Sequence, residues 1–235
     1  LLDGPAGMWC MQTGYGRREI ADAVSEQIMT LSYATSFTVI NNREVELAER
    51  IAAKTPGDLN RIYFTTGGST AVDSALRLCQ LASNIKGQPH RKHILTREKA
   101  YHGSTYLSAS ITGKERDKTA MDIMRDGVHF LSAPCYFYHP EFATEAEFCD
   151  FLVDELEQKI LELGPENIMC FIAEPVMASG GVIVPPADYN YRCWQMVKKH
   201  EITYIADEVV TAFGRLGYWF ASEKVFGIVP DIIIF

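Results

Sequence analysis

Three short stretches of the sequence hold residues whose types and order could do chemistry. Thr66-Gly67-Gly68-Ser69 closes a β-rich run and opens a helical pattern. Glycines let the backbone approach a ligand, and a helix N-terminus presents free N–H groups and a positive dipole end. In physical terms that is a phosphate cradle. The alternative is a tight turn with Ser69 as the helix cap. Tyr101-His102-Gly103-Ser104 follows a second strand-like run. An aromatic ring there can lie on a flat ligand; the alternatives are a core tyrosine and, for His102, a hydrogen-bonded structural histidine. Asp207-Glu208-Val209 follows a third run, Ile202–Ala206. A carboxylate at the end of an apolar strand needs a positive partner.

Two partners for that carboxylate compete. One is a metal ion held by Asp207 and Glu208 in a nucleotide-binding α/β module. The other is a protonated ring nitrogen. The sequence has no GxxxxGK[ST] loop, so the nucleotide reading lacks its phosphate-binding half. A pyridine held by its phosphate at one end, by an aspartate at the other and by an aromatic on its face is pyridoxal phosphate. The aspartate keeps the ring protonated, and the ring then acts as an electron sink.

The elements that must position these groups alternate along the chain. Helical spacing of apolar residues predicts helices over Arg17–Leu31 (Ile20, Val24, Ile28, Leu31) and Asn42–Lys54, the latter capped by Asn42. Further helices are predicted from Ser69 to about Lys86, after the Thr144-x-x-Glu147 capping box as far as Leu163, and over Asp188–His200. Strands are predicted at Arg61–Thr65, His93–Thr96, Val128–Leu131, Ile168–Ala173, Ile202–Ala206 and Asp231–Phe235. Near-continuous apolar strands between helices imply a mainly parallel sheet covered on both faces, a three-layer α/β sandwich. Ligands in such sheets sit at the carboxyl ends of the strands. Thr112–Asp126 is polar and charged and is expected to be a surface excursion.

Composition narrows the classes. The chain has 235 residues, 47% of them hydrophobic, and a formal net charge of -8. The acidic balance argues against nucleic acid as a partner, and no apolar run is long enough to span a membrane. The cysteines (10, 79, 135, 149, 170 and 193) form no CxxC pair, so a zinc ribbon and a thioredoxin site are excluded. Cys79 and Cys170 sit among apolar neighbours and are expected to pack as small hydrophobes. Free thiols point to a cytoplasmic setting. The chain opens without Met and stops in a strand-like run, so a piece of a longer chain is expected.

The stretches Asp3–Arg17, Phe64–Arg77, Tyr101–Thr105, Ala173–Tyr189 and Ala206–Glu223, in that order, resemble the class III aminotransferases, pyridoxal-phosphate enzymes of fold type I. The resemblance covers essentially the whole chain. It implies residue roles. Gly68 and Ser69 would donate to the cofactor phosphate, Tyr101 would stack on one face of the pyridine with His102 beside it, and Val209 would clamp the other face. Asp207 would partner the ring nitrogen, and Glu174 would hold the site in order. Gly214 and Arg215 are assigned a structural turn. Ser69-Thr70-Ala71-Val72 departs from the family's Ser-Glu-Ala-Asn but leaves the phosphate donors.

Ser179 is the more telling departure. Branches resembling ornithine and 4-aminobutyrate aminotransferases carry a Glu there that pairs with an arginine. A small residue resembles the branch that uses pyruvate as acceptor and takes ω-amine, β-alanine or taurine-like donors. Trp9 and Tyr33 would line the substrate pocket, with Thr35 and Phe37 near, although core or dimer packing is an equal reading of Tyr33 and Phe37. The resemblance further implies a homodimer, residues 1–60 as dimer and site-wall elements, and 61–235 as part of the cofactor-binding large domain. The Schiff-base lysine is expected just after Phe235, so the 235 residues alone are expected to be inactive. An aminomutase or racemase on the same fold, and a non-catalytic piece that folds only with its partner, remain alternatives.

Overall fold

A computed structural model describes residues 2–35 and 37–235. The chain runs through α1 (Ala6–Trp9), α2 (Arg18–Thr30), α3 (Asn42–Ala52), α4 (Gly68–Ile85), β1 (His93–Arg97), α5 (Tyr106–Ile111) and β2 (Val128–Leu131). It continues through α6 (Glu145–Leu163), β3 (Ile168–Ala173), α7 (Tyr189–Lys199), β4 (Thr203–Asp207), α8 (Ala221–Phe226) and β5 (Ile232–Ile234). The strands form one parallel sheet in the order β2-β1-β3-β4-β5. On one face Phe148, Leu152, Leu156 and Ile160 of α6 and Cys193 and Val197 of α7 pack on Leu95, Phe171 and Tyr204. On the other, Val72, Leu76 and Cys79 of α4 pack on Ile94, Cys170, Ile172 and Ile205. This is the expected α/β three-layer sandwich.

The predicted helices are present, each shifted by no more than a turn. Asn41 rather than Asn42 caps α3, its side chain accepting from the Glu44 N–H at 2.8 Å. Thr144 caps α6 as expected, accepting from Glu147 N–H at 3.2 Å. The short helices α5 and α8 escaped prediction because six residues are too few for a periodic signal. The run Ala6–Trp9 is a left-handed turn, with φ from +50° to +66°. Asp3 Oδ2 holds it, accepting from Gly7 N–H and the Tyr15 hydroxyl, each at 2.6 Å.

The Arg61–Thr65 strand is not formed. The segment is extended, but no ladder partner meets it. It faces the outer edge of β5 across a cleft of about 490 Å³. Local β propensity sets an extended backbone; a strand also needs a neighbouring edge. The Thr112–Asp126 excursion is also tied down more than its charge suggests. Thr112 and Lys118 are buried, and Lys118 Nζ pairs with Glu115 at 2.9 Å. Among the described residues no helix is long and apolar enough to cross a membrane.

Candidate active site

Parallel pairing brings the ends of β1 and β4 to the same side of the sheet, with β3 between them. Asp207 ends β4 and His102 lies just beyond β1. Asp207 Oδ2 and His102 Nδ1 are 2.6 Å apart, with both side chains essentially buried. Among the described residues the second oxygen, Oδ1, is held only by Val209 N–H at 3.3 Å. A buried carboxylate with one oxygen this loosely engaged suits a further positive donor.

Glu174 follows β3 directly. Its Oε1 accepts from Tyr101 N–H at 3.0 Å and its Oε2 from Ala178 N–H at 3.2 Å. It thereby fixes the backbone that carries Tyr101. Burial pushes the Glu174 carboxyl above the usual range. His102 pulls it down, Asp207 adds to the rise, and the Tyr101 N–H and Arg97 pull it down further.

The N-terminus of α4 closes the site. Gly67 precedes it with no side-chain cap bond, so its first N–H groups remain free for an anion. Ser69 is not the cap. Its Oγ accepts from Ser104 N–H at 3.0 Å, and its carbonyl accepts from the Thr105 hydroxyl. This ties the cradle to the Tyr101–Ser104 loop. A Cβ on Gly103 would lie 2.5 Å from Ser69 Oγ, so only glycine allows the two to meet. Val209 stands against the same helix end, its methyls 3.3 Å from where a Cβ on Gly68 would be. The ring of Tyr101 is partly exposed.

Gly68, Ser69, Tyr101, His102, Glu174, Asp207 and Val209 are thus brought into one constellation by direct contacts. Ser179 joins it at the margin through Lys114, whose Nζ donates to Ser179 Oγ at 2.9 Å and lies 5.6 Å from the Tyr101 ring centroid. Trp9 is linked elsewhere: its carbonyl accepts from Arg215 Nη2 at 3.4 Å. Tyr33 is 78% exposed and makes no hydrogen bond to the constellation.

Two residues of the site escaped the sequence. Arg97, fully buried at the end of β1, donates from Nη2 to the Glu174 carbonyl at 2.6 Å and lies 5.9 Å from the Tyr189 ring centroid. Lys114 is the other. Asp207-Glu208 also divides. The Glu208 carboxylate accepts from Thr211 Oγ1, Ala221 N–H, Ser222 N–H and Ser222 Oγ at 2.5–3.0 Å. With its oxygens so occupied, it is not free to share a metal with Asp207. That removes the support for the nucleotide alternative.

The residues fit pyridoxal phosphate. An uncapped helix end suits the phosphate, Tyr101 and Val209 suit the ring faces, and the loosely held Asp207 oxygen suits a protonated ring nitrogen.

Comparison with known proteins agrees. The family model described as Aminotransferase class-III matches residues 1–235. A putrescine–pyruvate aminotransferase of Pseudomonas aeruginosa is 38% identical over 234 residues, 99% of this chain and 51% of that protein. A mitochondrial gamma-aminobutyrate transaminase 1 of Oryza sativa subsp. indica is 40% identical, over 99% of this chain and 45% of that protein. Among solved structures, a thermostable (S)-enantioselective omega-transaminase from Thermomicrobium roseum superposes with a TM-score of 0.95 at 39% identity, covering 99% of this chain and 52% of that one. The chain spans about half the length of the relatives it matches.

Proposed function

The chain belongs to the class-III aminotransferases, and we propose that the protein transfers an amino group from an ω-amine, β-amino acid or taurine-like donor to a keto acid, pyruvate first among them, using pyridoxal 5'-phosphate. The buried Asp207–His102 pair beside the uncapped end of α4 carries this reading. When bound, the cofactor supplies an electron sink for the carbon that bears the amino group.

The chain's own residues do the rest. The first N–H groups of α4 and the Ser69 side chain bind the phosphate and set the distance from it to Asp207. Asp207 Oδ1 accepts the ring N–H and holds that proton in place. His102 Nδ1 orients the carboxylate from the other oxygen. Glu174 positions Tyr101 through its backbone N–H, and Tyr101 and Val209 hold the ring between them. Ser179 borders the substrate space through Lys114, while Trp9 and Tyr33 are assigned to its wall by the family resemblance alone.

The partner is a second copy of the chain, with residues 1–60 serving the dimer and the site wall and 61–235 the large domain. The exposed apolar face of α2 supports that assembly. A cytoplasmic setting is supported by six free cysteines.

Adding pyridoxal phosphate to the full-length protein is expected to give an absorbance band near the visible edge that borohydride reduction removes. Alanine should then form from pyruvate with at least one of a panel of amines. A protein without the band overturns the cofactor reading. A band with racemised or rearranged amine but no alanine transfers the protein to the racemase or aminomutase class.

A further inference from the structure

Lys114 lies in a stretch that looks like a charged surface loop, yet its place is fixed. Gly113 N–H donates to the Ala100 carbonyl at 2.8 Å, and Lys99 N–H donates to the Gly113 carbonyl at 2.9 Å. The loop is therefore docked on the segment that leads into Tyr101. A Cβ on Gly113 would lie 2.8 Å from Glu98 Cα and Lys99 N, so the docking requires glycine. The Lys114 side chain is 20% exposed. Its ammonium reaches Ser179 Oγ and stands within 6 Å of the ring of Tyr101.

The charge there is incompletely balanced. Asp117 Oδ2 lies 3.3 Å from Lys114 Nζ, but Asp117 Oδ1 is taken by Arg116 Nε at 2.9 Å. One carboxylate serves two cations, and the group keeps a surplus of one positive charge. A largely buried ammonium with a neutral hydroxyl as its other partner is a place for an anion.

We infer that Lys114 is a specificity-determining residue that binds the carboxylate of the substrate, with Ser179 Oγ as its companion. This deepens the transaminase reading and rests on it. Ser179 adds no charge to the ammonium, whose one carboxylate partner, Asp117, is shared with Arg116. A glutamate at that position would pair with Lys114 and cancel the site.

The test uses the full-length holoprotein, with Lys114→Met, Lys114→Arg and Ser179→Glu. Propionate and propionamide, both unreactive, are titrated by calorimetry. The loss of the cofactor band is followed with β-alanine and with propylamine, which lacks the carboxylate, and KM for pyruvate is measured. Lys114→Met and Ser179→Glu should each weaken propionate about tenfold relative to propionamide, the scale of one charge-assisted hydrogen bond. They should raise KM for β-alanine relative to propylamine by a similar factor if the site holds the donor, or KM for pyruvate if it holds the acceptor. Lys114→Arg should retain most of the preference. Equal changes for propionate and propionamide, or none, overturn the inference. A wild-type protein whose cofactor band responds to no amine of the panel overturns the transaminase reading, while the propionate titration still decides whether Lys114 binds a carboxylate.

Discussion

The carboxyl end of the sheet buries charge, and the segment before residue 60 exposes apolar surface. Asp207, Glu208, Glu174, Arg97 and His102 are all buried where β1, β3 and β4 end. In α2 and after it, Ile28 is 57% exposed, Met29 85% and Phe37 96%. Both regions oppose the ordinary partition of side chains, for different reasons. At the sheet end the three carboxylates are met by hydrogen bonds within the chain, while Arg97 is held through Nη2 alone, its Nε and Nη1 having no partner among the described residues. Along α2 and just after it the apolar stripe Ile20, Val24, Ile28 and Leu31 is left about half exposed and joins no core cluster of the described residues. A stripe of that kind marks a surface that another molecule covers. One region meets most of its buried charge within the chain; the other leaves its apolar side chains uncovered.

The largest effect should come from Asp207→Asn in the full-length enzyme. It removes the charge proposed to face the ring nitrogen, and turnover should fall by orders of magnitude while the far-UV circular dichroism is retained. Near-normal turnover would reject the ring-nitrogen role.

Next is Glu208→Ala, which leaves the N–H groups of Ala221 and Ser222 and two hydroxyls without their acceptor in a fully buried place. Leaving buried donors without an acceptor costs about 1–3 kcal/mol each, so the loss should reach several kcal/mol. Chemical denaturation checks it. A loss under about 1 kcal/mol would mean that water replaces the carboxylate there.

These two neighbours show how far the sequence was legible. Asp207-Glu208 stood out as a pair needing a cation, and the strand before it was correctly found. Side chains alternate along a strand, so adjacent carboxylates face different surroundings, and only packing reveals that Glu208 belongs to α8 rather than to the site. The central strands β1, β3 and β4 were legible because they are buried on both faces. Arg61–Thr65 was misjudged because pairing is non-local. Lys114 was missed for the same reason: nothing in Thr112–Asp126 announces that Gly113 docks on Lys99 and Ala100. Arg97 passed as an ordinary strand end, since a buried arginine looks like an exposed one until its partners, Glu174 just after β3 and Tyr189 in α7, are known.

Glu174 offers a gentler test of the charged region. Burial raises its carboxyl above the ordinary value of 4.5, even though two backbone N–H groups favour the ionised form. From about pH 4.5 upward the folded protein then holds a proton that the unfolded chain has released. Stability should fall as pH rises through that window and level off above the raised value. Glu174→Gln should flatten this slope in denaturant titrations at a series of pH values. An unaltered slope would assign it to other groups.

The smallest effect on folding belongs to the apolar stripe. Val24→Ser with Ile28→Ser alters side chains that touch no core of this chain, so folding of the dissociated protomer should change by about 0.5 kcal/mol at most. Assembly should respond far more. Each side chain buried between protomers contributes about 1.5–3 kcal/mol, and a two-fold interface removes both copies at once. A dilution series followed by sedimentation or light scattering should therefore show the double variant dissociating at concentrations where the parent remains dimeric. If the protomer itself is destabilised by several kcal/mol, α2 packs on its own chain and the contrast between the two regions fails. If neither folding nor assembly changes, the stripe faces water, and residues 1–60 do not build the dimer through α2.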